Sequence, residues 1–129
     1  MPMIVTLYAG LLGLMSIAIG FPIGQLRGKL KVSLGDGGDQ RLLLAIRRHG
    51  NFMEWVPLAL LLIALLEMSG VAKLAVHLLG AGLLLARLFH AMGLKHDSIE
   101  GAGRLVGAAG TALIIVVTSV WLVVRFAAG

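Results

Sequence analysis

The residues of this 129-residue chain most capable of chemistry lie in the run Arg47-Arg48-His49-Gly50-Asn51-Phe52-Met53-Glu54-Trp55-Val56-Pro57. At 100° per residue, Arg47, Asn51 and Glu54 fall at relative angles of roughly 0°, 40° and −20°, one polar stripe on a helix. Arg48 and His49 point elsewhere. A cation, an amide and an anion on one face can grip a ligand that carries both signs of charge. They can equally neutralise one another, with Arg47 and Glu54 as an ion pair and Arg48 reaching for headgroups. A second pair, Arg87 and His90, stands at i and i+3 further along the chain and shares a helix face.

The elements that must hold these groups are membrane helices. The chain is 59% hydrophobic and 13% charged, with mean hydropathy +0.99, and its 11 basic and 6 acidic side chains are too few to cover a soluble fold. The hydrophobicity excludes disorder, and the absence of cysteine excludes a disulfide scaffold. A hydrocarbon core takes about 20 apolar residues per helix. Four segments meet that need, at about 3–24, 42–66, 72–93 and 104–126, in one domain covering 1–129. The fold class is therefore all-α, an integral membrane four-helix bundle. The first segment lacks a basic leader and is long for a signal core, so it is expected to stay as a span.

In that frame each buried charge costs about 2.5–3.5 kcal/mol, so Arg47, Glu54 and Arg87 should face a bundle interior or a ligand. The topology brings the Arg47 stripe and the Arg87/His90 pair to similar depth, which reads as one site. Arg27, Lys29, Lys31, Arg41, Lys95 and Arg104 collect on one side of the bundle, against Lys73 and Arg125 on the other. The basic side is expected to face the cytoplasm, with both termini outside. Such a face suits anionic headgroups or a small acidic ligand, and no basic module presents itself to nucleic acid.

Other features read more plainly. His77 is expected to be an interfacial or hydrogen-bonded histidine near the outer end of the third helix. The histidines at 49, 77, 90 and 96 have no metal-ligand spacing, and no serine has a nucleophile setting. Leu34-Gly35-Asp36-Gly37-Gly38-Asp39 is a connector, with Asp39 or Gln40 as N-cap of the second helix. Gly10, Gly13, Gly20 and Gly24 in the first helix, and Gly103, Gly107 and Gly110 in the fourth, allow close helix approach, within one bundle or between copies.

The pattern Arg47-x-x-x-Asn51-x-x-Glu54-Trp55-x-Pro57, joined by Arg87-x-x-His90, resembles the signature of the MAPEG family, membrane-associated proteins of eicosanoid and glutathione metabolism. The resemblance covers nearly the whole chain and looks like a bacterial branch in the inner membrane. It implies a homotrimer binding glutathione between neighbouring subunits near the cytoplasmic side. Carried over by position, Arg47, Asn51 and Glu54 form the centre of the glutathione site, with Trp55 beside them among its binding residues. Arg87 and His90 line it, Arg27 and Lys31 add to it, and Arg104 is the catalytic arginine that stabilises the thiolate. A nearby cation lowers a thiol's pKa from about 8.5 toward neutrality, which is the chemistry such a residue supplies. Trp55 departs from the tyrosine that active members often carry there, and Leu94 stands where some members place another.

The resemblance implies a glutathione-dependent transferase or peroxidase acting on lipophilic electrophiles, with glutathione as co-substrate and no metal. A non-catalytic glutathione- or lipid-binding scaffold needs the same binding residues. A small multidrug transporter shares the architecture, but its first helix should carry a carboxylate, and here that helix has no charge before Arg27.

Overall fold

The computed structural model describes residues 3–93 and 102–129. It consists of four helices, α1 (Ile4–Leu30), α2 (Gln40–Met68), α3 (Lys73–Gly93) and α4 (Ala102–Ala128). Each is long and apolar enough to cross a membrane. At 1.5 Å per residue the three longer helices run to about 40 Å, more than a hydrocarbon core of about 30 Å, so their ends project beyond it.

The core follows from helical spacing. Phe52, Val56, Ala59, Ile63 and Leu66 recur every three or four residues and give α2 a buried face. Against it pack Val5 and Leu12 of α1 and Val76 and Leu83 of α3, with Ile114 and Ile115 of α4 at the margin. Helices α1 and α4 flank this layer and do not touch each other. The outward faces are apolar, as at Leu14, Ile17, Phe21, Val120 and Val123, which suits lipid.

Helix α1 continues to Leu30 instead of stopping at Gly24, so Arg27 and Lys29 become its last turn, where cations oppose the helix dipole. The helix ends at Lys31, whose left-handed backbone (φ 54°) lets its N–H donate to the Arg27 carbonyl. Arg27 Nη1 then donates to the carbonyls of Val32, Ser33 and Gly35 at 3.4, 3.2 and 3.0 Å. The glycine-rich connector is thus a turn folded around one guanidinium. Asp39 caps α2 by accepting from the backbone N–H groups of Arg41 and Leu42. The Arg41 guanidinium, 2.7 Å away, holds the Asp39 carboxyl well below the usual carboxylate range, at about 2.

At the other end of the bundle, Glu67 reaches from the last turn of α2 to the open start of α1. Its carboxylate accepts from the backbone N–H groups of Met3, Ile4 and Val5 at 2.9, 2.7 and 3.0 Å. Those are orphan donors of the first turn, and Met3 supplies no side-chain cap of its own. Nearby, the Tyr8 hydroxyl and His77 Nδ1 are hydrogen-bonded at 2.9 Å, the partnered histidine expected from sequence. Arg125 donates to the Ser69 carbonyl and ties α4 to the α2–α3 turn.

The glycines separate into two groups. A Cβ on Gly107 would meet the Ala86 carbonyl and lie 2.5 Å from His90 Cβ, and one on Gly110 would lie 3.2 Å from Ala86 Cβ. The fourth-helix set therefore serves close packing of α3 on α4 within the chain. A Cβ on Gly10, Gly13 or Gly24 would meet nothing within 4 Å.

Candidate functional site

The amino ends of α2 and α4 and the carboxyl end of α3 enclose a cavity of about 310 Å³, lined by Gln40, Leu43, Leu44, Arg47, Asn51, His90 and Arg104. Five of these come from α2 at i, i+3, i+4, i+7 and i+11, one continuous helical stripe. His90 is almost fully buried, and Gly107 allows the helix carrying Arg104 to pass close beside it. The amino ends of α2 and α4 also point their dipoles' positive ends toward this level.

The two polar stripes read from the sequence meet here. Arg87 is 2% exposed and donates through Nη2 to Asn51 Oδ1 at 2.9 Å, a bond from α3 to α2. Its Nη1 donates to Thr111 Oγ1 of α4 at 3.5 Å, and the guanidinium lies over the Phe52 ring, 5.4 Å from its centroid. Its Nε is buried without a hydrogen-bond partner. Thr111 passes its own proton to the Gly107 carbonyl at 2.9 Å. One cation therefore braces three helices directly behind the cavity wall, and no carboxylate pairs with it among the described residues.

Not every predicted residue reaches the cavity of a single chain. Arg47 lines it while remaining exposed along one side, and it forms no hydrogen bond or ion pair among the described residues. Glu54 and Trp55 are exposed on the outer edge of α2, beyond the cavity. The Arg47–Glu54 ion pair considered from the spacing does not form: the only ion pair among the described residues joins Asp39 and Arg41. Arg27 is occupied in the α1–α2 turn, and Lys31 is exposed at its start. Arg48, expected to turn away toward headgroups, is half-buried and within electrostatic reach of His90, as are Arg87 and Arg104. Leu94, Lys95 and His96 lie outside the described residues.

The sequence reading missed Gln40, Leu43, Leu44, Phe52 and Thr111. The first three were legible in principle, since they continue the Arg47 stripe backwards by turns of three and four. Phe52 and Thr111 carry no local signal, because their roles depend on where Arg87 lands.

Chemically, the cavity concentrates cations and hydrogen-bond donors. Its ionisable lining among the described residues is Arg47, Arg104 and His90, with no acidic side chain. Among the described residues no three metal-ligating side chains come together. Such a lining is chemically suited to an anion or an acceptor-rich polar group, with Leu43 and Leu44 offering apolar contact beside it.

A family model described as the MAPEG family matches residues 5–124. The inner membrane protein YecN of Escherichia coli K12 is 36% identical over 115 residues, which cover 89% of this chain and 88% of YecN. YecN of E. coli O6:H1 is similar to the same extent. No solved structure matches the chain.

Proposed function

Because the chain belongs to the MAPEG family, we propose that it is a glutathione-binding protein of the bacterial inner membrane. In this reading it works as a glutathione-dependent transferase or peroxidase on lipophilic electrophiles that partition into the bilayer. The observation that carries the reading is the charge of the cavity: Arg47, Arg104 and His90 are its ionisable lining among the described residues, and the Arg87 guanidinium stands directly behind it. Glutathione brings two carboxylates and a thiol that ionises beside a cation.

The residues divide the work as follows. Arg47 binds a ligand carboxylate, Asn51 and His90 hydrogen-bond the peptide, and Arg104 holds the thiolate. The sulfur attacks an electrophilic carbon, the C–S bond forms, and the leaving group departs with the bonding pair. Glu54 and Trp55, exposed on the α2 edge, act from the interface of a homotrimer, with Arg27 and Lys31 at its cytoplasmic rim. Leaving Arg47 and Glu54 against lipid would cost about 2.5–3.5 kcal/mol each, which favours covering that edge with a neighbouring copy. The basic face is cytoplasmic and both termini lie outside, by the distribution of lysine and arginine.

A second reading, binding without turnover, is favoured by one observation. Tyr8 is the only tyrosine in the chain, and it is held by His77 at the opposite end of the bundle, so no tyrosine hydroxyl serves the cavity.

Calorimetry of the detergent-purified protein with glutathione tests the shared premise. Binding is expected in wild type and lost in Arg47→Ala, and no heat at millimolar ligand overturns both readings. Conjugation of a lipophilic aryl halide, with the thiolate followed by its ultraviolet absorbance in wild type and Arg104→Ala, separates the enzyme from the binder. Crosslinking reads the assembly, where a clean dimer counts against the trimer.

A further inference from the structure

The polar contacts behind the cavity have a fixed direction. The Thr111 hydroxyl has one proton, which it gives to the Gly107 carbonyl, so toward Arg87 it can only accept. A guanidinium has five donors and no acceptor, and it keeps its charge in proteins. The amide atom of Asn51 that lies 2.9 Å from Arg87 Nη2 is therefore its oxygen and not its nitrogen. That leaves Nδ2, with two donor protons, as the Asn51 atom available to the cavity that this residue lines. Nothing in this relay can be reversed by a change of protonation near neutral pH.

We propose that Arg87 is a positioning residue that locks the Asn51 amide as a donor toward the cavity, so the ligand group seated against Asn51 is acceptor-only: a carboxylate, a thiolate or a carbonyl oxygen. An ammonium or amide N–H is disfavoured there, because it would face Nδ2 donor to donor, and the second lone pair of Oδ1 lies beside the Arg87 cation. This specifies which amide atom of Asn51, placed by the resemblance at the centre of the glutathione site, meets the ligand. It also assigns Arg87 an action through Asn51, since Arg87 itself does not line the cavity. Phe52 and Thr111 hold the guanidinium in the one orientation that keeps the relay closed. The inference rests on the glutathione reading only for the name of the ligand.

Asn51 is the only asparagine in the chain, so ¹⁵N-asparagine labelling gives a single side-chain NH₂ pair. The test follows that pair in the full-length protein in micelles while glutathione, acetate and, separately, ethylammonium are added, with calorimetry in parallel. Glutathione and acetate are expected to shift the pair, and ethylammonium to leave it in place. Asn51→Asp keeps an acceptor for Arg87 but turns an acceptor toward the cavity. It should hold its melting temperature while glutathione affinity falls about tenfold or more, the worth of a hydrogen bond to a charged group. A labelled pair that stays fixed while calorimetry shows glutathione bound would overturn the proposal, as would an Asn51→Asp variant that binds like wild type. A wild type that binds no glutathione but whose pair moves with acetate would sink the glutathione reading and leave this one standing. If neither anion moves the pair, the proposal fails.

Discussion

Gly107→Ala tests how the close approach of α3 and α4 positions the site. The added Cβ would lie 2.5 Å from His90 Cβ and nearer still to the Ala86 carbonyl. Ordinary contact begins near 3.4 Å, so α3 and α4 must separate by about 0.9 Å at this level (3.4 less 2.5). The obstructing atoms belong to the backbone and to a Cβ, which cannot rotate away. Overpacking of this kind costs about 1–3 kcal/mol, offset in part by about 0.5–1 kcal/mol because alanine is the better helix former. At the middle of these ranges the net loss is about 1.3 kcal/mol, or about 4–8 °C in melting temperature for a chain this size. Because His90 and Arg104 line the cavity from these two helices, the same separation should widen it and weaken glutathione binding. Thermal unfolding in detergent with parallel calorimetry reads both effects. Gly13→Ala is the control: its Cβ meets nothing within 4 Å, so the melting temperature should hold or rise. A Gly107→Ala protein as stable and as competent to bind as the Gly13→Ala control would refute the reasoning.

Three further predictions concern the ends of the bundle. Glu67→Ala leaves three amides of the α1 first turn without their acceptor and should destabilise the fold by about 1–2 kcal/mol, with Glu67→Gln between it and wild type and glutathione affinity unchanged in both; loss of binding with intact stability would contradict it. Asp39 has a folded pKa depressed from 3.8 to about 2, so its contribution is present above pH 4 and is lost as pH falls through 2. Hydrogen exchange at the Arg41 and Leu42 amides should therefore quicken across that window, and Asp39→Ala should exchange fast throughout. Tyr8→Phe keeps the ring but removes the bond to His77, which should lower stability by about 1 kcal/mol and leave the cavity's ligand affinity unaltered.

The fold was legible in the sequence where hydrophobicity and caps speak locally. Four apolar segments became four helices, and of the two caps expected for α2, Asp39 and Gln40, Asp39 is the one that caps it. Arg27 shows where that logic stops. A charge ends an apolar segment but not a helix, since the backbone can run on into the headgroups, as α1 does to Leu30. The site was legible as a pair of stripes at one depth, and the Arg87–Asn51 bond joins them. Helical angle fixes where a Cβ points, not what it meets. Glu54 shares the stripe with Arg47 yet lies beyond the cavity, and Arg48, about 100° away, lies within electrostatic reach of His90. The reach of Glu67 to residues 3–5 of the chain depends on the packed ends of α1 and α2, which no local pattern encodes.

Arg87 makes stability and binding hard to separate by deletion. Its removal would leave Asn51 Oδ1 and Thr111 without their donor and open space over Phe52, so a loss of ligand affinity in Arg87→Ala would say nothing about the amide's direction. Breaking a buried polar network costs most when half of it survives. Asn51→Asp is the informative change because it keeps every contact Arg87 makes while the cavity meets a charged acceptor in place of the Nδ2 donor. In a bilayer, where a charge at Arg87's depth is tolerated only if its surroundings are satisfied, the pair should be tighter in the variant than in wild type. A melting temperature that holds or rises alongside weakened binding would place the effect in what residue 51 presents to the cavity and not in the loss of the fold, and the labelled NH₂ pair of the wild type then reads the direction of the bond.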